Sequence, residues 1–218
     1  MRIPRSHRTN FGLTLLEAVV IIFSLSLLFL LLLPALGAAA RKKNLIGCTD
    51  HLKQMGLAFR VWEGDHDDKY PMSVSSTNGG AMEIAAQGNA EVIFQAMSNA
   101  LTSSKILVCP ADIGRWPAPN FNRPLKSSNL SYFVNVEAKE SNPQDVMMGD
   151  DNFEIRGLPV KSGLLVISAT NAVAWSADRH QFRGNLWMAD GSVQGINQTG
   201  LAGHLCSANA GAIRLAIP

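Results

Sequence analysis

Cysteine is scarce in this 218-residue chain, and its three copies, Cys48, Cys109 and Cys206, lie far apart. A disulfide-dense mini-domain needs more of them, and no two share the short spacing of a zinc knuckle. The arithmetic leaves room for one disulfide and one spare thiol. Concentrated positive charge is also missing: Arg41-Lys42-Lys43 is the only tight basic run, and no basic stripe interleaved with aromatics accompanies it. No nucleic-acid partner is therefore expected. There is no Gly-x-Ser-x-Gly elbow and no glycine loop of the phosphate-cradling type. Without any such mark of a reaction centre, the chain is not expected to be an enzyme.

What is present is concentrated near the N-terminus. Ala18 to Ala40 form 23 residues without a formal charge, and about 20 apolar residues suffice to cross a hydrocarbon layer about 30 Å thick. Arg2, Arg5 and Arg8 precede this run, which under the positive-inside rule keeps them in the cytoplasm and sends Arg41 onward outside. Removing those three arginines from the chain's 19 basic residues leaves 16 against 17 acidic ones, so the remainder is near neutral. A secretory signal cut after Ala40 is an alternative, because Ala38-Ala39-Ala40 supplies small residues. Against it, the uncharged run exceeds the usual apolar core of about 7–15 residues. Glu17 is also out of place in such a signal, being a carboxylate near the start of a spanning helix that needs a partner.

Gly12-Leu13-Thr14-Leu15-Leu16-Glu17 resembles the cleavage and methylation signal of type IV pilins and type II secretion pseudopilins. The resemblance implies cutting after Gly12 by a prepilin peptidase and methylation of the new terminus at Leu13. Glu17 is then the fifth residue of the mature chain and Pro34 the twenty-second, both positions at which the family carries these residue types. Leu13 departs from the usual Phe, which bears on methylation more than on cleavage. The implied partners are the peptidase, other pilin or pseudopilin subunits and an inner-membrane assembly platform. The implied place is the bacterial cytoplasmic membrane, single-pass, with the C-terminal domain extracytoplasmic or in a fibre. Inside such a fibre Glu17 would pair with a neighbour's terminal amine and set the register.

The fold expected is α+β: a basic leader over 1–12, an apolar helix over 13–40, its amphipathic continuation over 41–62, and a globular pilin-like domain over 63–218. Leu45, Cys48, Leu52, Met55, Phe59 and Trp62 recur at spacings of three and four, the mark of a helix with one buried face. Lys42, Lys43, Lys53 and Arg60 fall off that stripe. Pro34 and Gly37 are expected to kink or locally melt the rod. A second helix is expected over 90–101, strands over 105–109, 131–136, 146–149, 164–169 and 172–176, and a hairpin over 185–196 turning at Asp190-Gly191.

The remaining motifs resemble pseudopilin-like families of planctomycete and verrucomicrobial bacteria that carry a His-x9-Asp-Gly signature. Here these motifs read Cys109-Pro110-Ala111-Asp112, Ser131-Tyr132, Gly149-Asp150, and His180 followed by Asp190-Gly191. The residues themselves admit plainer roles: Asp190 and Gly191 as turn residues, and His180 as a hydrogen-bonding loop histidine. Cys48 and Cys109 either form a disulfide between helix and domain or are two buried thiols. Asp65, Asp67 and Asp68 offer oxygen ligands of the kind calcium takes, but the glycine and closing glutamate of an EF-hand are missing, and a solvated helix-ending loop serves equally.

The cleavage expectation has a direct test. Intact-mass and N-terminal analysis of membrane-extracted protein should find Leu13 first, and a bulky residue in place of Gly12 should leave the basic leader attached. A mature chain beginning at Arg41, or unchanged processing of the Gly12 variant, would overturn it.

Overall fold

The computed structural model describes residue 12 and residues 14–139, 141–168, 170–207 and 212–218, apart from the side chains of 206 and 207. It is an α+β chain: one long N-terminal helix, α1 (Leu15–Gly64), continues into an antiparallel sheet domain. Its 50 residues correspond to about 75 Å of helix at 1.5 Å each. The chain divides into two compact units, one ending at Ala40 and the other beginning at Arg41. The apolar part of α1 is long and apolar enough to cross a membrane. Helical assignment runs unbroken through Pro34 and Gly37, so the expected local melting does not occur. A single proline removes one backbone bond, and the leucine-rich turns before it are strong helix formers.

From Cys48 to Glu63, α1 buries one face, with Leu52, Met55 and Phe59 fully enclosed. Each such side chain stabilises the fold by about 1.5–3 kcal/mol. The helix stops in a tight turn in which Asp67 and Asp68 adopt positive φ. His66 stacks on Trp62 with ring centroids 3.5 Å apart, and its Nδ1 donates to the Trp62 carbonyl at 2.7 Å. Arg60 does not simply face solvent: it pairs with the buried Glu63 at 3.0 Å and donates to the Ala189 carbonyl at 2.6 Å.

After α1 come α2 (Met82–Ala85) and α3 (Ala90–Ala96), then the strands. These are β1 (Tyr132–Asn135), β2 (Val146–Asp150), β3 (Phe153–Ile155), β4 (Leu158–Pro159), β5 (Gly163–Ile167), β6 (Val173–Trp175), β7 (Arg183–Met188) and β8 (Val193–Asn197). Helix α4 (Leu201–Ser207) and β9 (Ile213–Ile217) complete the order. The main sheet has six strands in the order β5-β9-β1-β2-β7-β8, and a small sheet runs β4-β3-β6. Every described pairing is antiparallel.

Alternation sorts the strand residues between two cores. Tyr132, Val134, Met148 and Trp187 join the α1 face, while Phe133, Leu186 and Met188 pack with Phe153, Trp175, Leu201 and Leu205 on the other side. A register shift between Val146 and Met148 puts Met147 and Met148 in the same core and breaks the simple alternation there.

Three expectations need correction. Residues 105–109 are not a strand: Ser104–Leu107 is a single 3-10 turn, started by the Ser103 hydroxyl accepting from the Lys105 N–H at 3.2 Å. The helix expected to 101 ends at Ala96, and turns carry the chain to Leu101. The hairpin after β7 is not a two-residue turn. Only Gly191 has positive φ, and the Met188 carbonyl accepts from the Gly191 N–H while the Met188 N–H donates to the Ser192 carbonyl. Asp190 instead accepts from the Ser192 N–H at 2.8 Å, as in a three-residue loop ending in a bulge.

One contact sets how closely helix and sheet approach. A Cβ on Gly56 would lie 2.5 Å from Trp187 Cε2 and 2.6 Å from its Nε1. Gly56→Ala gains up to about 1 kcal/mol of helix propensity but costs about 1–3 kcal/mol in overpacking. The expected net effect is a lower urea midpoint and an altered near-ultraviolet tryptophan signal. Gly64→Ala, where a Cβ meets nothing within 4 Å, should cost nothing. Equal behaviour of the two variants would show that the contact is soft.

Candidate functional site

The Cys109 turn, the starts of β1 and β7 and the end of β2 meet under one turn of α1. Cys48, on the buried face of α1, is disulfide-bonded to Cys109 with Cα atoms 5.4 Å apart. The bond closes a 61-residue separation, worth about 4 kcal/mol in the chain-entropy account. His180 lies against it: Nε2 is 3.2 Å from Cys109 Sγ and 3.8 Å from Asp150 Oδ2. Asp150 is wholly buried at the end of β2, and its Oδ2 accepts from the Asn185 backbone N–H at 2.7 Å and from Asn185 Nδ2 at 2.9 Å. Asn185 is steadied in turn by the Thr49 hydroxyl, which donates to its Oδ1 at 3.1 Å.

Burial controls the protonation of this group. It pushes the Asp150 carboxyl up to about 6, against the pull of Arg179 and the Asn185 donors. Burial, reinforced by the adjacent Arg179 charge, lowers His180 to about 4. At neutral pH the two are thus a carboxylate beside a neutral imidazole, and their 3.8 Å approach is not an ion pair. Asp150 Oδ1 is buried and has no hydrogen-bond partner in the structure.

Next to this group lies a charge network. Asp151 pairs with both Arg115 and Arg179, and the same two arginines reach Asp112 at 3.8 and 3.3 Å. The Ser131 hydroxyl donates to Asp112 Oδ2 at 2.8 Å, and the Ser131 carbonyl accepts from Arg179 Nη1 at 3.2 Å and from the Asp151 N–H at 3.2 Å. Two acids and two bases balance locally. Arg179 also takes positive φ, as do Gln181 and Phe182, so the segment carrying His180 holds an uncommon backbone path.

The structure therefore gathers Cys48, Cys109, Asp112, Ser131, Asp150 and His180, which are scattered along the sequence. It does not bring Asp190 and Gly191 to them: both sit in the hairpin turn at the far end of β7. Asp65, Asp67 and Asp68 are exposed in the turn after α1. Leu13 lies outside the described residues, as does the side chain of Cys206. Gly12 is exposed. Glu17 makes a reciprocal cap with Thr14: its Oε2 accepts from the Thr14 N–H and hydroxyl at 2.9 Å each, and its N–H donates to Thr14 Oγ1 at 3.3 Å. Asp150 and Asp151 read from the sequence as an acidic turn before Asn152, open to calcium or to solvent, whereas nothing there marks Arg115, Arg179 or Asn185 as site residues. Asp151 and Arg179 also adjoin residues of the motifs.

Asp151→Ala removes the carboxylate shared by both arginines. Stability of the detergent-solubilised chain should fall by about 3–5 kcal/mol, as when one partner of a buried pair is lost. A loss below about 1 kcal/mol in urea unfolding would mean that the pairs act as surface bridges. In comparisons with known proteins, no family model, curated protein or solved structure matches this chain.

Proposed function

We propose that the chain is a structural subunit of a type IV pilus-like or type II secretion pseudopilus fibre, cut after Gly12 and held in a bacterial cytoplasmic membrane by its apolar helix. The observation that carries this reading is the division of labour along α1. None of its most apolar window is buried, whereas Cys48 to Glu63 are anchored in the domain. A soluble domain gains nothing from the exposed half: Leu15, Leu16, Ile22, Phe23, Phe29 and Leu33 each leave more than three-fifths of their surface open. Lipid covers such a surface in the membrane, and copies of the same helix cover it in a fibre. The domain then presents its own surface outward.

Glu17 fits this reading as the register device. Thr14 satisfies its carboxylate within one chain, and a carboxylate with two oxygens retains capacity for a neighbour's terminal amine. Glu17→Ala should insert normally, since removing a charge eases transfer into hydrocarbon. Assembly should fail, because an amine left unmatched among apolar helices costs on the order of 3–5 kcal/mol. Sheared extracellular material and membrane fractions from wild type and variant distinguish the cases. Processed monomer accumulating in the membrane supports the fibre; equal fibre yields would overturn the role of Glu17. Failure of the wild type to form any fibre would favour a tethered display protein.

A further inference from the structure

Cys48, Cys109, Asp150 and His180 have more in common than proximity. One ligand-capable atom from each lies within 4.8 Å of the others, and all four residues are buried. Two sulfurs, an imidazole and a carboxylate are the donor set of a tetrahedral zinc-type centre. An ion about 2.0–2.3 Å from each donor would hold those donors roughly 3.3–3.8 Å apart; Cys109 Sγ and His180 Nε2 are already 3.2 Å apart, and the Asp150 carboxylate meets the same Nε2 at 3.8 Å through Oδ2, the oxygen that Asn185 also holds. The two sulfurs are the exception, being bonded to each other. With Cα atoms 5.4 Å apart, breaking that bond lets side-chain rotation alone open the pair.

Two details point to a ligand rather than to packing alone. Asp150 uses Oδ2 for Asn185 and leaves Oδ1 buried and, among the described residues, without a hydrogen-bond partner, an unfavourable state for a charged group. The residues that steady Asp150, Asn185 and beyond it Thr49, stand as the outer hydrogen-bonded support that orients a metal-binding carboxylate. His180 also lines a cavity of about 510 Å³ whose walls include Arg41, Lys42, Arg179 and Arg183. Two thiolates, one carboxylate and a divalent ion leave one net negative charge, and Arg179 stands beside it.

We propose that these four residues form a site for one zinc-class divalent cation when the Cys48–Cys109 bond is reduced, so that the domain is closed either by a disulfide or by a metal ion. The reductant is a dithiol: it passes two electrons and two protons to the protein disulfide and becomes a disulfide itself. The two protein thiols then release their protons as the cation binds. This proposal concerns the domain from Arg41 onward and is independent of fibre assembly.

The test uses the full chain in detergent, either oxidised or reduced with dithiothreitol and desalted without air, then titrated with Co²⁺. The reduced protein should take up one equivalent with thiolate-to-cobalt charge-transfer bands and the visible bands of a tetrahedral centre, both bleached by Zn²⁺. The oxidised protein should show neither. His180→Ala and Asp150→Ala should each weaken binding at least tenfold, while Asp190→Ala, in the distant turn, should leave it unchanged. Absence of the thiolate bands in the reduced wild type would overturn the proposal. So would unchanged affinity in both ligand variants, which would leave the cysteines acting alone. If reduction abolishes the near-ultraviolet signal, Zn²⁺ should restore it, since binding the ion drives folding; failure to restore it also overturns the site.

Discussion

The domain rests on the close seating of one face of α1 against the six-stranded sheet. Gly56 permits that approach, with the indole of Trp187 occupying the space where a side chain would project. Phe59 meets Trp187, Tyr70 and Phe94 at centroid distances of 5.5, 5.7 and 6.2 Å, so a single helix residue ties the sheet to the segments after α1. Two turns earlier on the same face, Cys48 makes the seating covalent.

Polar groups enclosed beneath that seat fall into two kinds. Arg115, Arg179, Asp112 and Asp151 compensate one another directly, which is the condition under which buried charge is tolerable. Asp150 and His180 do not: one remains a carboxylate with an open oxygen and the other a neutral ring at ordinary pH. The first kind specifies how the loops around Asp112, Asp151 and Arg179 meet. The second leaves coordinating capacity unspent in the interior.

Much of the architecture is legible in the sequence because periodicity is a local property. The stripe from Leu45 to Trp62 and the strand patterns expected over 131–136, 146–149 and 172–176, observed as Tyr132–Asn135, Val146–Asp150 and Val173–Trp175, identify their elements without reference to neighbours. Ile213, Leu215 and Ile217 alternate with Arg214 and Ala216 as a strand does, but five residues with no flanking turn pair carry too short a signal to mark the element by sequence alone. The β3–β4 hairpin was missed because Arg156, and not an asparagine or aspartate, precedes Gly157 in the turn; both take positive φ. Lys105 to Cys109 has strand-like composition but no partner edge, so the Ser103 hydroxyl decided its conformation. The site shows the limit most clearly. His180 reads as an isolated histidine because its sulfur neighbour is 71 positions away, and only the fold converts that distance into contact.

The position of β9 has a consequence for how such a domain comes into being. Among the described strands it is the latest in chain order, yet it lies between β5 and β1, one place in from the edge of the sheet and next to its central pair. Without residues 213–217, β1, β2, β7 and β8 can still pair as a four-stranded sheet, but β5 is left across a gap one strand wide from β1. Docking of β5 onto the sheet therefore waits for a segment about 46 residues further along the chain. The pairing of residues 213–217 with both neighbours is thus the bolt that holds the edge strand β5 to the rest of the sheet.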